Sequence, residues 1–106
     1  MDPVIRQIAE EHKSRLKSLY GDELVELVLF GSYARGEEHE ESDVDFAVVL
    51  RNFSRPSAEI FKTAPISSAL SLKYGIMVST LPVSQQKKET SMQGVYQSIR
   101  EEGVVV

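Results

Sequence analysis

Two short runs rich in β-forming residues, "ELVELVLF" from Glu23 to Phe30 and "DVDFAVVL" from Asp43 to Leu50, are separated only by residues 31–42. The first is almost wholly apolar, as expected of a strand buried on both faces. A sheet built on it must be covered by other elements, which points to a mixed α/β domain. The second run opens with an acid, a valine and an acid. Side chains alternate along a strand, so Asp43 and Asp45 share one face and Val44 takes the other. Two carboxylates that close repel each other, and a divalent cation with oxygen ligands relieves the cost. Gly31-Ser32 follows the first run directly, and Ser32 can cap a short helix starting near Tyr33. Backbone N–H groups then converge where a strand passes into a helix, an arrangement that binds phosphate.

The rest of the chain supplies helices and one more strand. Ile5, Ile8, Ala9, His12, Leu16, Leu19 and Tyr20 form a stripe over residues 3–20, with Asp2 as N-cap, Pro3 in the first turn and Gly21 at the end. Residues 57–74 read as helix, which Pro65 should kink or split. "GIMVSTL" from Gly75 to Leu81 reads as a third strand, stopped by Pro82. Met92, Val95, Tyr96 and Ile99 recur at helical spacing, with Gly103 as terminator before "VVV". The expected fold is α/β (α+β): a small mixed sheet of at least three strands, near residues 24–30, 43–50 and 75–81, with helices mainly on one face.

A length of 106 residues suits one domain with a single modest core, spanning 1–106. The net charge of −4 argues against a broad nucleic-acid platform, so no direct nucleic-acid partner is expected. The chain has no cysteine, which excludes thiolate metal sites and thiol catalysis. The opening "MDPVIRQIAEEHK" lacks a basic segment followed by an apolar one, and no apolar run approaches a membrane span. These features predict a cytoplasmic protein with no membrane partner.

Gly31-Ser32, ten intervening residues and Asp43-Val44-Asp45 are each weak as signals but specific together, with a strand before the first pair and another beginning at the second. The stretch Leu27–Leu50 resembles the signature of the DNA polymerase beta-like nucleotidyltransferase superfamily. The small size, "GSYARGEEHEESDVDFAVV" and the ending "YQSIREEGVVV" resemble its minimal nucleotidyltransferase (MNT) antitoxins, whose partners are HEPN-domain toxins. The resemblance implies that Gly31 and Ser32 hold the β- and γ-phosphates of ATP, and that Asp43 and Asp45 are the catalytic residues and ligate Mg²⁺. It also implies transfer of AMP to a tyrosine hydroxyl of the HEPN partner. Arg35 is a candidate for leaning over the triphosphate, or equally for pairing with Glu37 or Glu38. Ser42 should buttress the turn before Asp43.

The superfamily's third carboxylate is missing from "GIMVSTL"; Met77 best fits its place, with Ser79 next on the same face. A second metal is therefore in doubt, and a module that neutralises its partner by binding alone stands beside the enzyme. The remaining polar residues read mainly as structural. Glu26 belongs to an accessible strand face, His12 to the core edge, His39 to a solvated loop and Lys87-Lys88 to a solvated helix face. Tyr33 is open between stacking on a base and packing beside the turn. The apolar positions of the last helix and the valine tail fit either a partner surface or a final short strand on the chain's own core.

Overall fold

The computed structural model describes residues 1–53 and 55–106. A long helix, α1 (Pro3–Tyr20), leads through a 3₁₀ turn (Gly21–Glu23) into β1 (Leu24–Phe30) and the single-turn α2 (Ser32–Arg35). Then come β2 (Val44–Leu50), α3 (Pro56–Tyr74), β3 (Val78–Ser84), α4 (Gln85–Thr90), α5 (Gly94–Glu102) and β4 (Val104–Val105). The mixed sheet has the order β3-β2-β1-β4. β1 is antiparallel to both β2 and β4, and β2 is parallel to β3, with α3 as the crossover.

The start of α1 follows from its first residues. Asp2 Oδ1 accepts from the Val4 and Ile5 amides at 2.7 and 3.3 Å, and Pro3 has no N–H to leave unpaired. Spacing then places Ile5, Ile8, Ala9, His12 and Leu16 in the core. They pack on Leu27 and Leu29 of β1, on Val44, Phe46, Val48 and Leu50 of β2, and on Leu70 of α3. The opposite sheet face carries a smaller cluster, Val28, Ala47, Val49 and Val83 beneath Ile99 of α5. The two long helices thus share one face and α5 covers part of the other. Both alternations of β1 and β2 are buried, which accounts for their nearly continuous apolar sequences.

Two proline expectations give way to tertiary placement. Pro65 lies inside one continuous α3 and does not divide it. Its missing N–H would have met the carbonyl of Phe61, and both Phe61 and Pro65 are exposed, so the lost bond falls on the solvent side of the helix, where an unpaired carbonyl is least costly. Pro82 does not stop β3, which starts at Val78 and runs to Ser84. β3 is an edge strand, where an absent donor can face away from the sheet.

The valine tail is the final short strand. Val104 and Val105 pair with Leu29 and Val28, and the Val106 amide donates to Leu27 O at 2.9 Å. Gly103 ends α5 with an ordinary φ of −67°, so left-handed freedom is not its use. A Cβ there would overlap the Ile99 carbonyl and Val28 Cγ1. Among the described residues, no helix is long and apolar enough to cross a membrane.

Candidate active site

Phe30 pairs with Asp45 across the antiparallel β1–β2 ladder, so the next residue, Gly31, arrives beside the Asp45 side chain. Gly31 has φ 76° and ψ −157°, backbone space that a residue with a Cβ avoids. A Cβ at this position would stand 2.5 Å from Asp45 Oδ2. Conformation and close approach both demand glycine. The amides of Ala34 and Arg35 turn back to Gly31 O at 3.1 and 3.2 Å, which makes Gly31 the N-cap residue and Ser32 the first helical one. The expected capping by Ser32 is therefore corrected: the cap position belongs to Gly31, which has no side chain to offer, and Ser32 is inside the helix. As in any helix start, the first amides have no carbonyl one turn earlier to bond.

Asp43 comes immediately before β2, whose first residue is Val44. Buried Val44 anchors this end, its amide donating to Met77 O at 2.9 Å. Ser42 Oγ accepts from the His39 amide at 2.9 Å and so braces the preceding loop. Asp43 is exposed, whereas Asp45 is half-buried beside Gly31. Burial, and then the Asp43 charge, raise the Asp45 carboxyl above its ordinary range, and Arg35 pulls the other way. Two hard oxygen donors that disfavour each other's charge fit a divalent cation.

In the β2–β3 register, Ser79 lies opposite Asp45. Met77 precedes β3, accepts from the Val44 amide through its carbonyl and is 61% exposed, one step before Val78, the partner of Val44, so both Met77 and Ser79 lie at the acid-pair end of the sheet. Among the described residues, no group of three His, Cys, Asp or Glu side chains is arranged to hold a metal. A cation on Asp43 and Asp45 would need its other ligands from nucleotide oxygens or water.

The Arg35 guanidinium is held from two sides. Nε donates to Glu37 Oε2 at 3.1 Å and Nη1 to Glu102 Oε2 at 3.2 Å. Glu37 was one of the two acids expected from sequence; Glu102 is 67 residues away and carried no local signal. The other polar residues take structural places. His12 is fully buried, its Nε2 is 3.2 Å from Thr80 Oγ1, and its ring meets Phe46 edge-on at 4.9 Å. His39 is exposed, with Nδ1 accepting from the Glu41 amide at 3.2 Å. Tyr33 packs against the larger core cluster, on the sheet face away from Asp45. Glu26 forms an ion pair with Lys88, so Lys88 is partly covered while Lys87 stays exposed.

Comparison with known proteins agrees with this frame. A family model described as a nucleotidyltransferase domain matches residues 9–106. Among curated relatives from Methanocaldococcus jannaschii, named as protein adenylyltransferases, MJ0141 is 39% identical over 77 residues, covering 73% of this chain and 77% of its own. MJ1305 is 30% identical over 95 residues, 89% of this chain, and the match spans only 63% of its own length. Solved structures share the fold. One, of a toxin–antitoxin with AMP-PNP, aligns with a TM-score of 0.62 at 21% identity, covering 91% of this chain and 70% of its own. Another, of tri-AMPylated Shewanella oneidensis HEPN toxin in complex with MNT antitoxin, aligns with a TM-score of 0.54 at 21% identity, covering 94% and 70%. With the family model spanning nearly every residue and the strand–turn–strand frame in place, the chain belongs to the nucleotidyltransferase domain family.

Proposed function

We propose that the chain is an antitoxin of the MNT type that transfers AMP from ATP to a tyrosine hydroxyl of a HEPN-domain partner. The observation that carries this reading is the packing of Gly31 against Asp45, which brings the Gly31-Ser32 turn beside the acid pair. In the reaction the tyrosine oxygen bonds to the α-phosphorus as the bond to the bridging oxygen of the β-phosphate breaks, pyrophosphate leaves with that electron pair, and the phenolic proton passes to solvent. The Gly31-Ser32 backbone amides and the Ser32 hydroxyl hold the β- and γ-phosphates. Arg35 adds a cationic fork at the edge of the same turn. Asp43 and Asp45 are the residues that would hold Mg²⁺, which when bound supplies positive charge against the phosphate oxygens. The relatives' adenylyltransferase names and the toxin–antitoxin neighbours support the donor and partner class.

Ser79 beside Asp45 favours a second reading, a module that neutralises its partner by binding with little turnover, since a serine is a far weaker Mg²⁺ ligand than a carboxylate. One experiment separates the two. The protein is incubated with a HEPN partner and Mg²⁺-ATP, and the partner is weighed by mass spectrometry. An adenylyl increment on a partner tyrosine, absent with Asp45→Asn, establishes the enzyme. Tight complex formation with no increment, unaffected by Asp45→Asn, establishes the binding module.

A further inference from the structure

Arg35 sits on a helix of only four residues, and a long side chain on so short an element has many rotamers to lose before it can serve a ligand. Its two anchors differ in kind. Glu37 is two residues further on and moves with the turn, whereas Glu102 comes from the last turn of α5. Glu102 is itself well referenced: Ser98 Oγ donates to Oε2 at 3.3 Å, and the preceding Ile99 is buried against the sheet. Just after Glu102, Gly103 is pressed so closely on Val28 and the Ile99 carbonyl that no Cβ fits. Val104 then pairs with Leu29, two residues before Gly31. The strand that delivers the Gly31-Ser32 turn therefore also fixes the carboxylate that meets Arg35.

We propose that Glu102 is a positioning residue for nucleotide, acting through Arg35. The inference rests on the nucleotidyl-transfer reading and adds to it a residue that touches neither nucleotide nor metal. A guanidinium carries five N–H donors, and this one uses Nε and one Nη1 hydrogen on the two carboxylates, leaving the rest of the fork for phosphate oxygens. Two carboxylates around one guanidinium leave a local excess of negative charge, which by itself disfavours a triphosphate. The benefit of Glu102 is thus orientation rather than charge. An amide in its place, keeping an acceptor and losing the charge, should keep the benefit.

The test compares the wild type with Glu102→Ala, Glu102→Gln, Arg35→Ala and the Arg35→Ala/Glu102→Ala pair, using the full chain. Calorimetry with Mg²⁺-ATP reads affinity, and NMR of the arginine side-chain nitrogens without nucleotide reads guanidinium rotation. Glu102→Ala should weaken binding about three-fold, the scale of an exposed ion pair, and should speed Arg35 rotation. Glu102→Gln should recover most of both, and in the Arg35→Ala background Glu102→Ala should do nothing further. Tighter binding in Glu102→Ala or Glu102→Gln overturns the proposal, because Glu102 then withholds Arg35 from the ligand. Freely rotating Arg35 in the wild type, or a loss that persists without Arg35, overturns it as well. Absence of any Mg²⁺-ATP binding with Arg35 still held is a different signature: it refutes the nucleotidyl-transfer reading, and the positioning role falls with it.

Discussion

Replacing Gly31 by alanine perturbs the site in two separable ways. At φ 76° and ψ −157° the backbone lies in a region essentially reserved for glycine, and holding a residue with a Cβ in such space costs about 1–3 kcal/mol. The added methyl would also lie 2.5 Å from Asp45 Oδ2, so either the carboxylate swings away or the turn opens. Gly36 is the natural control. It is left-handed at φ 70° and ψ 25°, but a Cβ there meets nothing within 4 Å. Gly36→Ala should cost only the left-handed term, about 1 kcal/mol. Gly31→Ala should cost roughly 2–4 kcal/mol once the overlap is added, a fall in Tm of the order of 10 °C or more against about 5 °C for the control. Because the overlap displaces Asp45, Gly31→Ala should also weaken Mg²⁺-ATP binding by about ten-fold or more, which is about 1.4 kcal/mol, while Gly36→Ala should keep wild-type affinity. Differential scanning fluorimetry and calorimetry on the two variants measure both quantities. Equal melting temperatures, or equal nucleotide affinities, would refute the argument that Gly31 exists to let the turn approach the acid.

Three further outcomes follow from the same geometry. Asp45→Asn should melt higher than the wild type at neutral pH in EDTA, because burial and Asp43 disfavour the ionised carboxyl, and Mg²⁺ with nucleotide should then stabilise the wild type but not the variant; a lower melting point in EDTA counts against this. Ser79→Asp should tighten Mg²⁺ binding in the presence of a non-hydrolysable ATP analogue, since Ser79 lies in register with Asp45, and unchanged or weaker binding in calorimetry would count against a metal held beside Asp45. Burial lowers the His12 pKa from 6.5 to about 4, so the unfolded chain binds the proton first and stability falls as pH drops from 6.5 towards 4. At about 1.4 kcal/mol per pH unit the total is roughly 3 kcal/mol, present in full above 6.5, and chemical denaturation of the wild type against His12→Gln should show this slope only in the wild type.

Local features of the sequence determined α1, β1, β2 and the acid pair. The Asp2 cap, the helical stripe of α1 and the unbroken apolar runs of the two central strands are complete within a few residues, so nothing distant was needed to read them. The Gly31-Ser32 turn was legible for the same reason, though not that Gly31 rather than Ser32 takes the cap position. What depended on neighbours far along the chain came only from tertiary structure. Pro65 and Pro82 carry the same local penalty anywhere, and it was the solvent side of α3 and the sheet edge at β3 that made them tolerable. The valine tail carried no local signal for the free edge of β1, and its pairing with Val28 and Leu29 came only from the return of α5 onto the sheet. Likewise Ser79 faces Asp45 because of strand register, and Glu102 meets Arg35 because α5 and β4 pack back onto β1. Spacing and caps act over one turn or one strand, whereas register, edges and ion pairs across the fold depend on where the chain returns in space.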